Sequence, residues 1–175
     1  MKILIAYATT EGQTRKIVRF VADWLADKGE SVELWPVAEA GEVDVGNFDR
    51  AILAGSVHLG HFQSTLEDFA KDRRAELDRI DTLFLGVSLS AAGNDPEDRA
   101  GLDQVMKSFT DKTGWLPKRV EHIAGAFRFT QYDFFRSWAM RWIAAQKGEE
   151  VERDQDKEYT DWKALGDVLN DWLSA

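Results

Sequence analysis

The sequence predicts an α/β fold, a doubly wound, five-stranded parallel sheet with helices on both faces and strand order 2-1-3-4-5. Three observations carry this. Short apolar runs alternate with helical patterns along the 175 residues. The runs are unbroken rather than alternating apolar with polar, as in strands buried on both faces. Five such runs suit an open sheet of this order better than a larger dinucleotide-binding sheet.

Lys2–Tyr7 is the first strand by its run length. A helix from Gln13 to Lys28 follows, with Ile17, Val21 and Leu25 on one face and Gly29 where a left-handed cap belongs. Ser31–Val37 is the second strand. Arg50–Ser56 is the third, introduced by the turn-prone Gly46-Asn47 and Asp49. A helical pattern runs from Gln63 towards Arg74, and Thr82–Ser88 is the fourth strand. After a Gly93-Asn94-Asp95-Pro96 loop come a helix across Arg99–Lys112 and a fifth strand, Val120–Phe127. The last helix spans about Asp161 to Trp172, with Thr160 as its cap.

A hydrophobic content of 44% supports one core, and no linker or internal repeat divides the chain, so 1–175 is read as a single domain. Without cysteine there is no disulfide, thiolate-bound zinc or cysteine nucleophile, which fits a reducing compartment. Met1-Lys2 leads directly into a strand, so no signal peptide is expected, and no apolar run is long enough to span a bilayer. These features point to a cytoplasmic protein. A net charge of −9 argues against nucleic-acid binding and general adhesion to anionic lipid. The sequence carries no signature of an oligomeric state.

In such folds ligands bind beyond the carboxyl ends of the strands, where strand order reverses. The loop after the first strand reads Thr9-Thr10-Glu11-Gly12-Gln13-Thr14. Hydroxyls, a glycine that admits a ligand to the backbone, and the free N–H groups of a helix start together suit one phosphate monoester. The competing reading is an ordinary capped turn. A nucleotide-triphosphatase loop needs Gly-Lys-Ser/Thr and a dinucleotide fingerprint needs Gly-x-Gly-x-x-Gly; neither occurs. A phosphoacceptor domain needs an aspartate after the third strand, where Ala54-Gly55-Ser56 stands.

This loop resembles the phosphate loop of flavodoxins, in which a Ser/Thr-x-Thr-Gly-x-Thr pattern holds flavin mononucleotide (FMN). Thr9, Gly12 and Thr14 match, and Glu11 departs. An acidic residue before Gly-Gln-Thr is similar to the menaquinone-dependent protoporphyrinogen dehydrogenases, flavodoxin-like enzymes of haem synthesis. Phe48-Asp49-Arg50, Gly60-His61-Phe62, Ile123–Phe129 and Tyr159–Trp162 match that family in the same order, so the resemblance spans nearly the whole chain. Glu11 can lend its backbone N–H to the phosphate while its carboxylate faces solvent or the helix start.

The resemblance implies FMN as cofactor. Thr9, Thr10, Glu11, Gly12, Gln13 and Thr14 would bind its phosphate. The loops Ser56-Val57-His58-Leu59-Gly60-His61 and Ser88-Leu89-Ser90-Ala91-Ala92-Gly93-Asn94 would flank its ring. No Trp or Tyr occupies either loop. His58, Leu59 and Phe62 are the available flat or apolar partners, and Ala91 and Ala92 leave ring surface open. His58 and Leu59 stand where the family has a basic residue and an aromatic. His58 and His61 lie three apart without a completing ligand set, so no metal is expected. His122, in a strand-like run, is read as structural.

The segment at about 128–147 carries Phe129, Tyr132, Phe134, Phe135, Trp138 and Trp142 interleaved with Arg128, Arg136 and Arg141. It fits an aromatic stripe docked on the domain, arginines that pair with tetrapyrrole propionates, or an interfacial helix reaching a membrane-held quinone. The acidic run Glu149–Glu158 would repel anionic lipid and carboxylated substrate if it lay alongside those arginines; the other reading is a solvated loop. The leading functional expectation is an FMN-dependent dehydrogenase passing electrons from a porphyrinogen-type substrate to a quinone, with Arg128, Arg136 and Arg141 as substrate contacts. It would be cytoplasmic, with peripheral contact at the inner face of the membrane. The rivals are a flavodoxin-type electron carrier, which the acidic charge favours, and a flavin-free interaction module.

Overall fold

The computed structural model describes residues 1–93, 95–127 and 157–175. Five parallel strands, β1 (Lys2–Tyr7), β2 (Ser31–Pro36), β3 (Arg50–Ser56), β4 (Asp81–Ser88) and β5 (Arg119–Ala124), form one sheet of order β2-β1-β3-β4-β5. Ile3 pairs with Val32 on one side and Arg50 on the other, so the reversal of strand order lies at β1 and β3.

Alternate residues of each strand face opposite layers. Ile3 and Ile5 of β1 join Ile17, Val21 and Leu25 of α1 (Gln13–Asp27) and Leu165, Leu169 and Trp172 of α5 (Trp162–Ser174). Leu4 and Ala6 face the opposite side. There Leu66 and Phe69 of α2 (Ser64–Asp72) and Met106 and Phe109 of α4 (Pro96–Thr113) pack on Leu53 and Phe84. Each fully buried Leu or Ile contributes about 1.5–3 kcal/mol relative to exposure. A register slip of one residue would exchange the two layers, which fixes the pairing.

Gly29 ends α1 as the sequence suggests. At φ +86° it closes a Schellman motif in which Gly29 N–H donates to Ala26 and Glu30 N–H to Leu25. Four details differ from expectation. The helical stretch from Gln63 breaks at Arg73, giving α2 and a single-turn α3 (Arg74–Leu77). Helix α4 starts earlier, at Pro96, because Asp95 caps it by accepting from Glu97 N–H and proline fits the first helical position. The run 120–127 is two strands: β5 ends at Ala124, and β6 (Ala126–Phe127) pairs antiparallel with β7 (Lys157–Glu158). Asp161, not Thr160, caps α5 by accepting from Ala164 N–H.

Among the described residues no helix is long and apolar enough to cross a membrane. His122 lies in β5, where burial lowers its pKa against the opposing charges of Asp103 and Glu121. Its Nδ1 is buried without a hydrogen-bond partner.

Candidate functional site

The loops after β1, β3 and β4 meet beyond the carboxyl ends of the sheet, at the reversal of strand order. Gly12 is the N-cap of α1 at φ +90°, a left-handed conformation that an L side chain adopts only with strain. That turn aims the start of α1 back over β1. Thr9 Oγ1 accepts from Gly12 N–H at 2.9 Å, so its own proton stays available. The first-turn N–H groups of α1 lack intrahelical acceptors by construction and carry the positive end of the helix dipole.

Thr14 is wholly buried, and its Oγ1 has no hydrogen-bond partner. An unsatisfied buried hydroxyl costs about 1–3 kcal/mol. At the start of a helix, such a hydroxyl is in reach of an anion held by the first-turn N–H groups. Thr10 is exposed, and Glu11 is half-buried ahead of the cap.

The Gln13 side chain is turned to the protein itself. Its amide nitrogen donates to Glu158 Oε2 and Thr160 Oγ1, both at 3.1 Å, so of its donors the backbone N–H remains. Thr160 donates in turn to the Ala124 carbonyl at 2.6 Å, and Tyr159 N–H donates to the Gly125 carbonyl at 3.0 Å. The strap 157–160 thereby ties the end of β5 to the start of α1. Glu158 also accepts from Lys16 and from Trp162 Nε1. Burial pushes its carboxyl up, but the hydrogen bonds from Lys16, Gln13 and Trp162 outweigh burial and hold it below the usual carboxylate range. Sequence reasoning had placed Glu158 in a solvated acidic run; only the fold reveals these partners.

In the loop after β3, Val57 N–H donates to the Val87 carbonyl at 2.8 Å. His58 and His61 then exchange two backbone hydrogen bonds around Leu59 (φ +50°) and Gly60 (φ +80°), a tight turn with positive φ at both central residues. Leu59 is the strained, 72% exposed tip of this turn. The histidine spacing thus serves the turn, and among the described residues no cluster of three or more His, Cys, Asp or Glu could hold a metal. Phe62 corrects an expectation. It lies in the core, edge-on to Phe84 at 5.0 Å and Phe109 at 5.5 Å, and cannot flank a ring.

After β4, buried Ser88 accepts from Ala91 N–H at 3.1 Å, and Leu89 and Ser90 carbonyls accept from Ala92 and Gly93 N–H. Ser90–Ala92 form a short 3₁₀ turn of small residues. A Cβ at Gly93 would lie 2.3 Å from Asp98 Oδ2, so a larger residue there would require the Asp98 carboxylate to move. Asn94 and the arginines 128, 136 and 141 lie outside the described residues.

The residue that sequence reasoning missed is Gln63. It joins the loops after β1 and β3, donating to Thr10 Oγ1 at 3.0 Å and Ser56 Oγ at 2.5 Å. Its place at a helix start gave no local signal. A separate acidic concavity of about 570 Å³ lies beside β2, lined by residues including Glu33, Trp35, Glu39, Glu42 and Asp44. It already holds Lys2, which pairs with Glu33 at 3.0 Å and stands 4.5 Å from the Phe48 ring centre.

The flavodoxin domain family matches residues 4–154. The chain belongs to that family. Solved flavodoxins share the fold: the Streptococcus pneumonia TIGR4 flavodoxin, 18% identical with a TM-score of 0.58, covers 99% of both chains. Flavodoxin 1 from Bacillus cereus, 13% identical with a TM-score of 0.56, covers 99% of this chain and 98% of its own. Among curated relatives, this flavodoxin-domain chain is 29% identical over 172 residues to the protoporphyrinogen IX dehydrogenase [quinone] of Escherichia coli K12, covering 98% of this chain and 94% of that one. It is 26% identical over 174 residues to the protein of the same name from Leishmania major, covering 99% and 75%.

Proposed function

We propose that this chain is an FMN-dependent oxidoreductase that takes reducing equivalents from a porphyrinogen-type substrate and delivers them to a quinone. The observation that carries the cofactor is the buried, unpartnered Thr14 hydroxyl at the start of α1. The names of the curated relatives support the substrate pair.

Thr9, Thr10 and Thr14 hydroxyls and the N–H groups at the start of α1 would bind the phosphate. Backbone groups of 57–61 and the small residues Ser90–Gly93 would border the ring and leave one side open to substrate. Flavin, when bound, supplies the redox chemistry; the protein binds, orients and shields it. No side chain here is assigned as general base. Residues 1–175 act as one domain. Arg128, Arg136 and Arg141 in the segment at about 128–147 would meet substrate carboxylates or an anionic membrane surface. On this reading the protein would work in the cytoplasm, in peripheral contact with the membrane that holds the quinone.

The net charge of −9 favours a second reading, an electron carrier that meets its partners through an acidic surface. The deciding experiment is an FMN titration followed by the visible absorption spectrum, then anaerobic turnover with protoporphyrinogen and a quinone. Saturable binding with a shifted flavin spectrum and porphyrin formation supports the enzyme. Binding without porphyrin formation favours the carrier, and no binding removes both.

A further inference from the structure

We propose that Gln63 is a positioning residue that orients the hydroxyls of Thr10 and Ser56 toward a bound phosphate ester, a role that rests on the FMN reading above. Gln63 precedes α2 at its N-cap position yet makes no capping bond there. Its amide nitrogen instead reaches Thr10 on the loop after β1 and Ser56 at the end of β3, the two strands flanking the reversal of order.

A hydroxyl has one proton and two lone pairs. Each hydroxyl that accepts from Gln63 keeps its own proton for another acceptor, and the terminal oxygens of a phosphate monoester dianion are acceptors only. The opposite amide orientation would draw both protons onto Gln63 and away from the loop. Gln63 Oε1 is buried without a partner, an energetic cost set against the two donor bonds.

Gly55 makes room for this arrangement. A Cβ there would lie 2.5 Å from Leu66 Cδ2 and 3.3 Å from Gln63 Oε1. The first turn of α2 therefore sits against β3 at a distance that brings the amide to both hydroxyls.

The test compares FMN with riboflavin, which lacks the phosphate, on the full chain. Gln63→Met keeps length and removes the donors. It should weaken FMN binding about tenfold and leave riboflavin binding within about twofold. Thr10→Ala should cost markedly less FMN affinity in the Gln63→Met background than in the wild type, because the two act through one contact. Gln63→Asn, which withdraws the amide by one methylene, gives the same readout should the Met variant not fold. Equal losses for both ligands, or additive losses with Thr10→Ala, would make Gln63 a packing residue and overturn the proposal. Wild-type protein that binds riboflavin as tightly as FMN would overturn the phosphate reading itself, and Gln63's role with it.

Discussion

Gln13 and Glu158, 145 residues apart in sequence, are joined by a 3.1 Å hydrogen bond from the glutamine amide to the carboxylate. The bond fastens the strap before α5 to the first residue of α1. It uses the same carboxylate that Lys16 and Trp162 engage.

Because those partners hold Glu158 below the usual carboxylate range, its ionised form is favoured in the folded chain. A depressed carboxyl pKa stabilises above the unfolded value and loses that contribution as pH falls through the folded one. Glu158→Gln should therefore lower the melting temperature at neutral pH, and the deficit should shrink as pH falls through the acidic carboxylate range. Thermal unfolding of both proteins over a pH series checks this. A deficit independent of pH would assign the loss to packing.

Thr14→Ala removes a buried hydroxyl that has no protein partner. FMN affinity should fall by about 1.5–3 kcal/mol, the worth of a hydrogen bond to a charged group. Stability without ligand should hold or rise. Glu11→Gln, ahead of the cap, should cost less affinity. Flavin titration together with ligand-free melting separates the effects, and equal or reversed losses would move the phosphate away from Thr14.

Gly55→Ala should destabilise the fold by about 1–3 kcal/mol, the usual cost of overpacking, because Leu66 is fully buried where the new methyl would stand. Denaturant unfolding measures this. A neutral substitution would show that α2 can shift from β3 freely.

Leu59→Gly relieves a left-handed φ of +50° at an exposed site and should raise ligand-free stability by about 0.5–1 kcal/mol. If the apolar tip contacts flavin or substrate, binding or turnover should fall in the same variant. Stabilisation with no functional loss would make the exposed leucine incidental.

The sheet was legible because each strand is an unbroken apolar run and each helix an apolar stripe, and burial on two faces permits few other patterns. Gly29 and the turn that starts α1 were legible because glycine at a helix end and a glycine with hydroxyls at a helix start each have a local physical cause. The break after Ala124 was not, since Ala126–Phe127 is apolar like β5 and differs only in pairing with Lys157–Glu158. Phe62 was misplaced for the same reason: an aromatic in a ligand loop and one turned into the core read alike until Phe84 and Phe109 are seen around it.

The sequence by itself determined the layer architecture, the five-stranded parallel sheet and the loop that starts α1, all products of periodicity and short-range backbone chemistry. Tertiary structure decided which polar groups are engaged within the protein and which are not. Gln13 turned to Glu158, Gln63 to Thr10 and Ser56, and Thr14 was buried with no partner. Side-chain hydrogen bonds between residues far apart in the chain depend on distances set by packing, and no local pattern encodes them.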